Sequence, residues 1–230
     1  MGARSPNKLL GALAAADYRR ILPDLRSVHI ANGDKLGQCG ETRVYFPCAG
    51  LCSVRSEMED GGMVEVAMVG REGLVGIGAF LGDAMSTGDA VVQVQAEGAQ
   101  AMNLDVFRRE MDRRGPLYDV VNRYSQAFVG LIMQSVACNG LHSAEERCCR
   151  WLLMTQDRIE RDEFALTHEF LAIMLGVRRP TVTLVLAELQ RAGIVAHVRG
   201  QVRIVDRKAL EGASCECYKT VKTLFERLLP

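Results

Sequence analysis

The N-terminal half of the chain contains short runs of residues in which apolar and polar positions alternate. Three such runs, at residues 51–58, 63–69 and 90–96, show the period of two that is typical of half-buried strands. Glycine-rich turn signals separate the runs roughly every ten residues between positions 28 and 102. No helical pattern alternates with these strands. The segment therefore predicts a small antiparallel barrel or jelly roll and argues against a nucleotide-binding α/β sheet.

A long helical pattern begins at Pro116, a residue that is favoured in the first turn of a helix. Apolar residues then recur at spacings of three and four and form one broad stripe. The stripe consists of Leu117, Val120, Val121, Tyr124, Ala127, Phe128, Leu131, Ile132, Ser135 and Val136. Asn139 and Gly140 are expected to end the helix and to form a hinge. The stripe alone fits either the chain's own core or a seam between two subunits.

The helices after this hinge begin with capping signals. Ser143 and Glu146 have the spacing of a capping box, which predicts a helix through about Asp157. Thr167 is expected to cap the next helix. These signals place at least two short helices in the C-terminal third of the chain.

Residues 167–189 have the spacing of a helix-turn-helix motif. Gly176 permits a tight turn between the two helices, and Pro180 lies in the first turn of the second helix, where its missing N–H costs nothing. The apolar positions that we expect to pack the two helices together are Leu171, Ala172, Leu175, Val177, Val182, Leu186 and Leu189. Residues 193–206 then predict two short strands around positions 199–201, which is the pattern of a wing.

The charge of the chain is zero overall, with 28 basic and 28 acidic residues, but it is unevenly distributed. Residues 176–210 hold seven lysines and arginines against two acidic residues. A local basic surface on a helix-turn-helix is the electrostatic signature of a protein that binds nucleic acid. The sequence therefore predicts double-stranded DNA as a partner.

The polar residues on the outer side of this unit are the candidate DNA contacts. They are Arg178, Arg179, Thr181, Thr183, Thr167, Arg199 and Arg203. The residues at the start of the second helix are expected to meet base edges in the major groove, because arginine can pair with guanine and threonine can reach a base edge, a phosphate or a thymine methyl group. The two wing arginines are expected to contact phosphates.

Length and composition restrict the class of protein further. The chain has 230 residues, of which 48% are hydrophobic, so two modest cores are possible. Its charge-free stretches are too short to cross a bilayer, and its N-terminal segment lacks a signal-peptide pattern. A soluble cytoplasmic protein with no membrane partner is expected.

The order of these parts resembles the CRP/FNR family of bacterial transcription regulators, over about residues 7–210. The most specific stretch is LTHEFLAIMLGVRRPTVTLVLAELQRAGIV, which is similar to the DNA-binding signature of that family. The resemblance implies an α+β protein with three parts. These are a cyclic-nucleotide-binding-like sensor β-roll (residues 1–115), a dimerisation helix with its hinge (116–140), and a winged helix-turn-helix domain with a C-terminal helical tail (141–230).

The resemblance also implies a homodimer that binds a near-palindromic operator and contacts RNA polymerase. It favours the dimer seam as the role of the long apolar stripe. The predicted interface residues are Val120, Val121, Tyr124, Phe128, Leu131, Ile132 and Ser135.

The reading helix departs from the pattern of the family. Members commonly carry an Arg-Glu pair at the start of this helix and a further arginine one turn later. The matching positions here are Arg179, Pro180 and Leu184, so only the first is retained. The operator is therefore expected to differ from that of the founding members.

The sensor segment departs further. Relatives that bind cyclic nucleotides hold the ribose with a Gly-Glu pair and the cyclic phosphate with an Arg-Ser/Thr pair. In this chain the matching cassette is Gly76, Ile77, Gly78, Ala90 and Val91. Loss of the arginine would leave the phosphate without its charge partner, so cyclic AMP is not expected. An effector of other chemistry is expected instead. The nearby Ser86 and Thr87 offer hydroxyl groups, for which capping of a turn is favoured over binding of a ligand.

No cofactor or metal site is predicted. Cys48 with Cys52, and Cys215 with Cys217, each form half a site, and nothing resembles the N-terminal cysteine group of iron-sulfur members. The histidines are scattered without the spacing of metal ligands, which argues against haem and zinc. A redox role for some of the eight cysteines stays open.

Two alternatives to an effector-modulated regulator are compatible with parts of the sequence. The first is a constitutive DNA-binding regulator whose β-roll holds no ligand. The second is a cupin-like small-molecule-binding enzyme, since the β-roll is related to a jelly roll. Cupin enzymes need a cluster of histidine and glutamate ligands on strands, which the sequence lacks. No enzymatic activity is therefore expected.

Overall fold

Short strands in the N-terminal half pair into two antiparallel sheets. The computed structural model of the protein describes residues 4–38, 40–82, 89–94 and 98–229. The strands are β1 (Leu25–Val28), β2 (Lys35–Leu36), β3 (Arg43–Pro47), β4 (Leu51–Glu57), β5 (Met63–Val69), β6 (Asp89–Val94) and β7 (Ala99–Asn103). The strand orders are β1-β7-β3 and β2-β6-β4-β5. The predicted antiparallel β-roll is confirmed.

The two sheets enclose an apolar core that contains Phe46, Leu51, Val92 and Met102. Two short helices, α1 (Lys8–Gly11) and α2 (Ala15–Ile21), precede the roll, and α3 (Leu104–Asp112) follows its last strand. A turn at Gly76 has a φ of 99°, a conformation that favours glycine. This turn brings the backbone of the sensor cassette against Val44 of β3.

A long helix, α4 (Pro116–Leu141), leads away from the roll. Pro116 lies in its first turn, as predicted, but the helix continues past Asn139 and Gly140 to Leu141. Gly140 does not adopt the left-handed backbone that ends many helices, and the extended backbone of His142 ends the helix instead. The link between α4 and the next helix is thus His142 and the capping residue Ser143, and the predicted hinge remains a prediction.

The apolar stripe of α4 packs against the chain's own core, which corrects the predicted dimer seam. Six of the seven residues predicted at the interface are buried within the chain, and Ile132 is half-buried. The buried ones are Val120, Val121, Tyr124, Phe128, Leu131 and Ser135. Of the two roles that the stripe left open, core packing is the one observed. The periodicity identified an apolar face but not the element that covers it.

The C-terminal part contains five helices and three strands among the described residues. They are α5 (Ala144–Ile159), β8 (Glu163–Ala165), α6 (His168–Leu175), α7 (Arg179–Arg191), β9 (Val195–Val198), β10 (Gln201–Ile204), α8 (Arg207–Ala213) and α9 (Cys217–Leu228). The capping box of Ser143 and Glu146 is present at the start of α5. Helix α9 packs along α4, where Gly130 leaves space for Leu224.

The C-terminal part also packs against the outer face of the four-stranded sheet. The sulfur of Met174 in α6 lies 3.2 Å from the Ser53 hydroxyl of β4 and 3.2 Å from the Gln93 amide of β6. Trp151 of α5 donates a hydrogen bond to Glu65 of β5 at 2.9 Å. The helix-turn-helix therefore packs directly against the roll. The boundaries predicted between the three parts remain predictions.

No single helix among the described residues is long and apolar enough to cross a membrane. Only α6 and α7 taken together, as a pair bent by 105°, pass that test.

Candidate nucleic-acid interface

Helices α6 and α7 form the predicted helix-turn-helix, with an angle of 105° between them. Gly176 makes the turn with a φ of 60°. The Thr167 hydroxyl accepts a hydrogen bond from the Phe170 amide at 3.2 Å and so caps α6. Pro180 lies in the first turn of α7, and Gly193 follows its end with a φ of 74°. The capping and turn signals of this unit are confirmed.

The two helices are held together by the residues that the sequence placed inside. Of that set, Leu171, Ala172, Leu175, Val182, Leu186 and Leu189 are buried, and Val177 is half-buried. Val185 is also buried and was missed, although it follows Val182 by three positions and so lies on the same side of α7. The packing fixes which side of α7 faces outward.

Four of the predicted DNA-contact arginines are exposed on this outer side. Arg178 and Arg179 lie at the start of α7, and Arg199 and Arg203 lie on the wing. The wing is the hairpin of β9 and β10, in which Arg199 and Gly200 form a two-residue turn with φ values of 50° and 77°. Two positive φ values are typical of the tight turn that matches the twist of a hairpin. Thr181 is half-buried.

Thr183 has a partner within the chain, which the sequence did not predict. Its hydroxyl lies 2.9 Å from Nδ1 of His168 and 3.2 Å from the carbonyl oxygen of Arg179. The His168 ring in turn lies 4.7 Å from the ring of His197 in the wing. These contacts connect α6, α7 and the wing, so the hydroxyl of Thr183 is already engaged and is a poor candidate for reading bases.

The same cluster is electrostatically unfavourable to a charged His168. Partial burial, together with the proximity of His197 and Arg179, lowers the pKa of His168. A neutral ring can accept a hydrogen bond at one nitrogen and donate at the other. The cluster therefore holds the wing beside the start of α7 without adding a positive charge there.

Two exposed apolar side chains accompany the arginines. Leu184 of α7 is 65% exposed, and Val198 of the wing is 63% exposed. Leu184 occupies the position where the resemblance expected an arginine. An apolar side chain at this place in a reading helix can contact the methyl group of thymine, whereas an arginine or lysine there would pair with guanine.

The sensor cassette lies beside a cavity of about 310 Å³ in the β-roll. Its wall includes Gly76, Ile77, Gly78 and Ala90, together with Phe128, Val129 and Ile132 of α4. Apolar side chains dominate the wall, and Glu41 and Arg43 add charged groups. The cavity thus connects the roll with the long helix. Ser86 and Thr87 lie outside the described residues.

Val91 does not line this cavity, which corrects its predicted place in the pocket. Successive residues of a strand face opposite sides, so Val91 points away from the side that carries Ala90. It pairs with Ser53 of β4, on the face where Met174 packs. Val91 is therefore buried beneath the helix-turn-helix.

The cysteines lie in two kinds of surroundings. Cys148 and Cys149 are both buried, and burial raises the pKa of Cys149 to about 12. In contrast, Cys215 and Cys217 meet Cys138 and His142 in one small cluster. The sequence pattern predicts no metal ligands here, because the end of α4 and the start of α9 are remote from each other along the chain.

The chain thus combines a β-roll, a long helix and a winged helix-turn-helix. Comparison with family models assigns residues 146–213 to the Crp-like helix-turn-helix domain. A comparison with curated proteins found no match.

Solved structures with this fold match nearly the whole chain. A CRP-family transcriptional regulator from Thermus thermophilus is 24% identical, with a TM-score of 0.68, 83% of this chain covered and 99% of the other. The c-di-GMP-responsive global regulator CLP from Xanthomonas campestris is 15% identical, with a TM-score of 0.67 and coverages of 84% and 100%. FixK2 from Bradyrhizobium japonicum is 15% identical, with a TM-score of 0.64 and coverages of 83% and 98%. At these identities the likeness concerns the fold.

Residues 146–213 thus form a Crp-like helix-turn-helix domain, and the chain has the fold of the CRP/FNR transcription regulators. The family resemblance that the sequence predicted is confirmed.

Proposed function

We propose that the protein is a homodimeric transcription regulator that binds a near-palindromic DNA operator and responds to an effector other than cyclic AMP. The observation that carries the proposal is the exposed pair Arg178 and Arg179 at the start of α7, with the wing arginines held beside it through His168 and His197. A helix that enters the major groove by its N-terminal end presents this pair to guanine edges, while the wing reaches phosphates.

The proposed dimer uses a different face of α4 from the one that the sequence suggested. Val129, Met133 and Val136 recur at spacings of four and three and are 47%, 69% and 68% exposed. An exposed apolar stripe on a long helix favours contact with the same stripe of a second copy. Two reading helices related by a two-fold axis would then meet half-sites one helical turn apart.

The proposed effector binds in the β-roll cavity. Its apolar wall, with Ile77 and Ala90 at the positions of the ribose and phosphate ligands, disfavours a cyclic mononucleotide. A largely apolar ligand with one polar group would suit the wall and the two charged residues Glu41 and Arg43. Because Val129 and Ile132 line the cavity, such a ligand would also touch the long helix. A constitutive regulator with an empty roll is the alternative.

Further parts of the proposal rest on the fold class alone. We place the protein in the cytoplasm, where it would meet both DNA and RNA polymerase. The proposal includes no catalytic activity, and two of the solved structures of similar fold are described as a transcriptional regulator and a global regulator.

Selection of bound duplexes from random DNA by the purified protein tests the central proposal. The expected result is a near-palindromic consensus with two half-sites. Arg179→Ala should then reduce the ratio of operator affinity to random-DNA affinity by about 10-fold to 100-fold, because one good arginine pair with guanine contributes roughly 1–3 kcal/mol of discrimination. Arg109→Ala, an exposed arginine of α3, is the matched control.

An unchanged ratio in Arg179→Ala would disprove the assignment of the reading helix. Titration of the operator complex with candidate effectors separates the two forms of regulator. An effector-responsive protein changes its operator affinity in the presence of at least one ligand of the cavity, whereas a constitutive one does not.

A further inference from the structure

Three buried cysteines form a small cluster that is separate from the main apolar core. They are Cys138 in the last turn of α4, Cys215 in the link before α9 and Cys217 in the first turn of α9. His142, which ends α4, turns its ring toward the same point. The four possible ligand atoms all lie within 4.8 Å of one another.

Two of the distances between these atoms match those around a single tetrahedral metal ion. The sulfurs of Cys138 and Cys215 are 3.6 Å apart, and the sulfur of Cys217 is 3.6 Å from Nδ1 of His142. A zinc ion bonds sulfur at about 2.3 Å and histidine nitrogen at about 2.0–2.1 Å, so tetrahedral neighbours lie about 3.8 Å apart for two sulfurs and about 3.5 Å for sulfur and nitrogen. The remaining pairs lie within 4.8 Å, so a small contraction of the cluster would bring all four atoms around one ion.

The residues around the cluster are those that support metal ligands. Glu216 lies 3.2 Å from Nε2 of His142, the ring nitrogen that would not face the ion. Such a carboxylate fixes the orientation of a ligating histidine and increases its basicity. The Gln134 amide donates to the sulfur of Cys217 at 2.9 Å. Donors of this kind stabilise a sulfur that carries negative charge.

The local charge balance also favours the site. Three thiolates with one divalent ion carry a net charge of about −1, which is costly in a buried place unless a cation is near. Arg150 is buried and donates to the Ser135 hydroxyl at 2.9 Å, one turn before Cys138 on α4. The cluster therefore has a compensating positive charge close by.

The elements of the fold explain why these four residues meet. Cys138 and His142 are four positions apart and so share one face of α4. Cys215 and Cys217 flank Glu216 at the point where the chain turns into α9, and α9 packs along that face of α4. The pair Cys215 and Cys217 thus meets the pair Cys138 and His142, and three cysteines with one histidine are a ligand set of closed structural zinc sites.

We infer that Cys138, His142, Cys215 and Cys217 form a closed binding site for one thiophilic divalent cation, for which Zn²⁺ is the best match. Sulfur and imidazole ligands select zinc over magnesium or calcium. Four ligand atoms around one point fit a mononuclear ion better than an iron-sulfur cluster, whose ligands are divided between separate metal ions. The bound ion would tie the C-terminal helix to the end of the long helix. The inference is independent of the proposed DNA-binding function.

Metal titration of the full chain under reducing, oxygen-free conditions tests this inference. After removal of resident metal, Co²⁺ is added as a spectroscopic probe and is then displaced by Zn²⁺. The expected result is one Co²⁺ per chain, with the intense visible bands of tetrahedral thiolate coordination, and their loss when Zn²⁺ is added. Native mass spectrometry of the purified protein should show the same stoichiometry for zinc.

Ligand variants show whether these residues hold the ion. Cys217→Ser and His142→Ala should each weaken metal binding by at least about 100-fold, and Glu216→Gln by about 10-fold to 100-fold. Cys48→Ser is the matched control, because Cys48 is a half-buried cysteine of the roll and far from the site in sequence. If Cys217→Ser does not fold, His142→Gln provides the same test at a less buried ligand.

Several outcomes would overturn the inference. One is the absence of a tetrahedral Co²⁺ spectrum in folded wild-type protein. A second is equal metal binding by wild type and His142→Ala. A third is a Cys138–Cys215 disulfide that is already present in the purified protein, withstands the reductant and prevents metal binding, which would assign the pair to thiol chemistry.

Discussion

The indole nitrogen of Trp151 donates a hydrogen bond to the Glu65 carboxylate at 2.9 Å, and this contact joins the DNA-binding part to the β-roll. Glu65 is buried, and its other oxygen lies 2.5 Å from the Ser53 hydroxyl. Burial raises the pKa of Glu65 to about 7, although the hydrogen bonds from Ser53 and Trp151 and the charges of Arg150 and Arg158 oppose the shift. The contact between the two parts therefore contains a titratable group.

Glu65→Gln should change how stability depends on pH. Between its ordinary pKa of 4.5 and the raised value of about 7, the native protein retains a proton on Glu65 that the unfolded chain loses. The free energy of unfolding of wild type should therefore fall as pH rises through this window. A glutamine imitates the protonated carboxyl group, so the variant should lose this part of the decline and be up to roughly 3 kcal/mol more stable than wild type at about pH 8.

Urea unfolding midpoints across this pH range provide the measurement. Glu57→Gln, an exposed position at the end of β4, is the control and should follow wild type. A Glu65→Gln variant whose stability declines as steeply as wild type would show that Glu65 is ionised in the native protein throughout the range.

Arg199→Ala should weaken binding to all DNA sequences by a similar factor. Arg199 lies at the tip of the wing, where it can meet a phosphate but has no defined route to a base edge. Loss of one phosphate contact should reduce the slope of log affinity against log salt by about 1. Binding isotherms of an operator and of a random duplex at several salt concentrations measure both effects. A selective loss of operator binding would instead place Arg199 at a base.

Thr183→Val should affect stability more than selectivity. The substitution removes the hydroxyl that pairs with His168 and the Arg179 carbonyl, and a hydrogen bond of this kind contributes about 0.5–1.5 kcal/mol. Thr183→Ser keeps the hydroxyl and is the control. Thermal unfolding and operator selection are compared for both variants. Normal stability with a changed base preference in Thr183→Val would restore the original prediction that Thr183 reads bases.

Met133→Glu should convert the proposed dimer to a monomer. A charge in the middle of the exposed stripe of Val129, Met133 and Val136 would be buried without a partner in the dimer, while the monomer keeps it in water. Sedimentation of the variant and of wild type measures the mass. Met58→Glu is the control, because Met58 is an exposed methionine just after β4, away from α4. A dimeric Met133→Glu would exclude this face as the interface.

The sequence predicted best those features that depend on neighbouring residues. The capping box at Ser143, the turn at Gly176 and Pro180 in the first turn of α7 are local signals, because each acts on backbone groups a few positions away. The alternating strands and the wing were found for the same reason. The fold class followed from the order of these local elements.

The incorrect predictions concern two things: which part of the chain covers an apolar face, and which residues far apart in sequence lie close together in the fold. Val91 and the α4 stripe are apolar, as predicted, but the elements that cover them come from remote parts of the chain. Val91 lies on the sheet face where Met174 packs, and the α4 stripe packs against the chain's core. The metal-site candidate was missed because Cys138 and Cys215 are 77 positions apart. The hydrogen bond between Thr183 and His168 likewise depends on how α6 and α7 cross, and the spacing of residues along the sequence does not specify that geometry.

Helix α4 has a different neighbour on each of three sides. Tyr124 faces the roll, Gly130 faces α9, and Met133 faces solvent and the proposed second subunit. Consecutive residues of a helix are about 100° apart around its axis, so even a partial rotation of α4 changes all three contacts together. A ligand in the cavity that rotates α4 about its axis would therefore alter the packing of α9 and the proposed dimer contact at the same time.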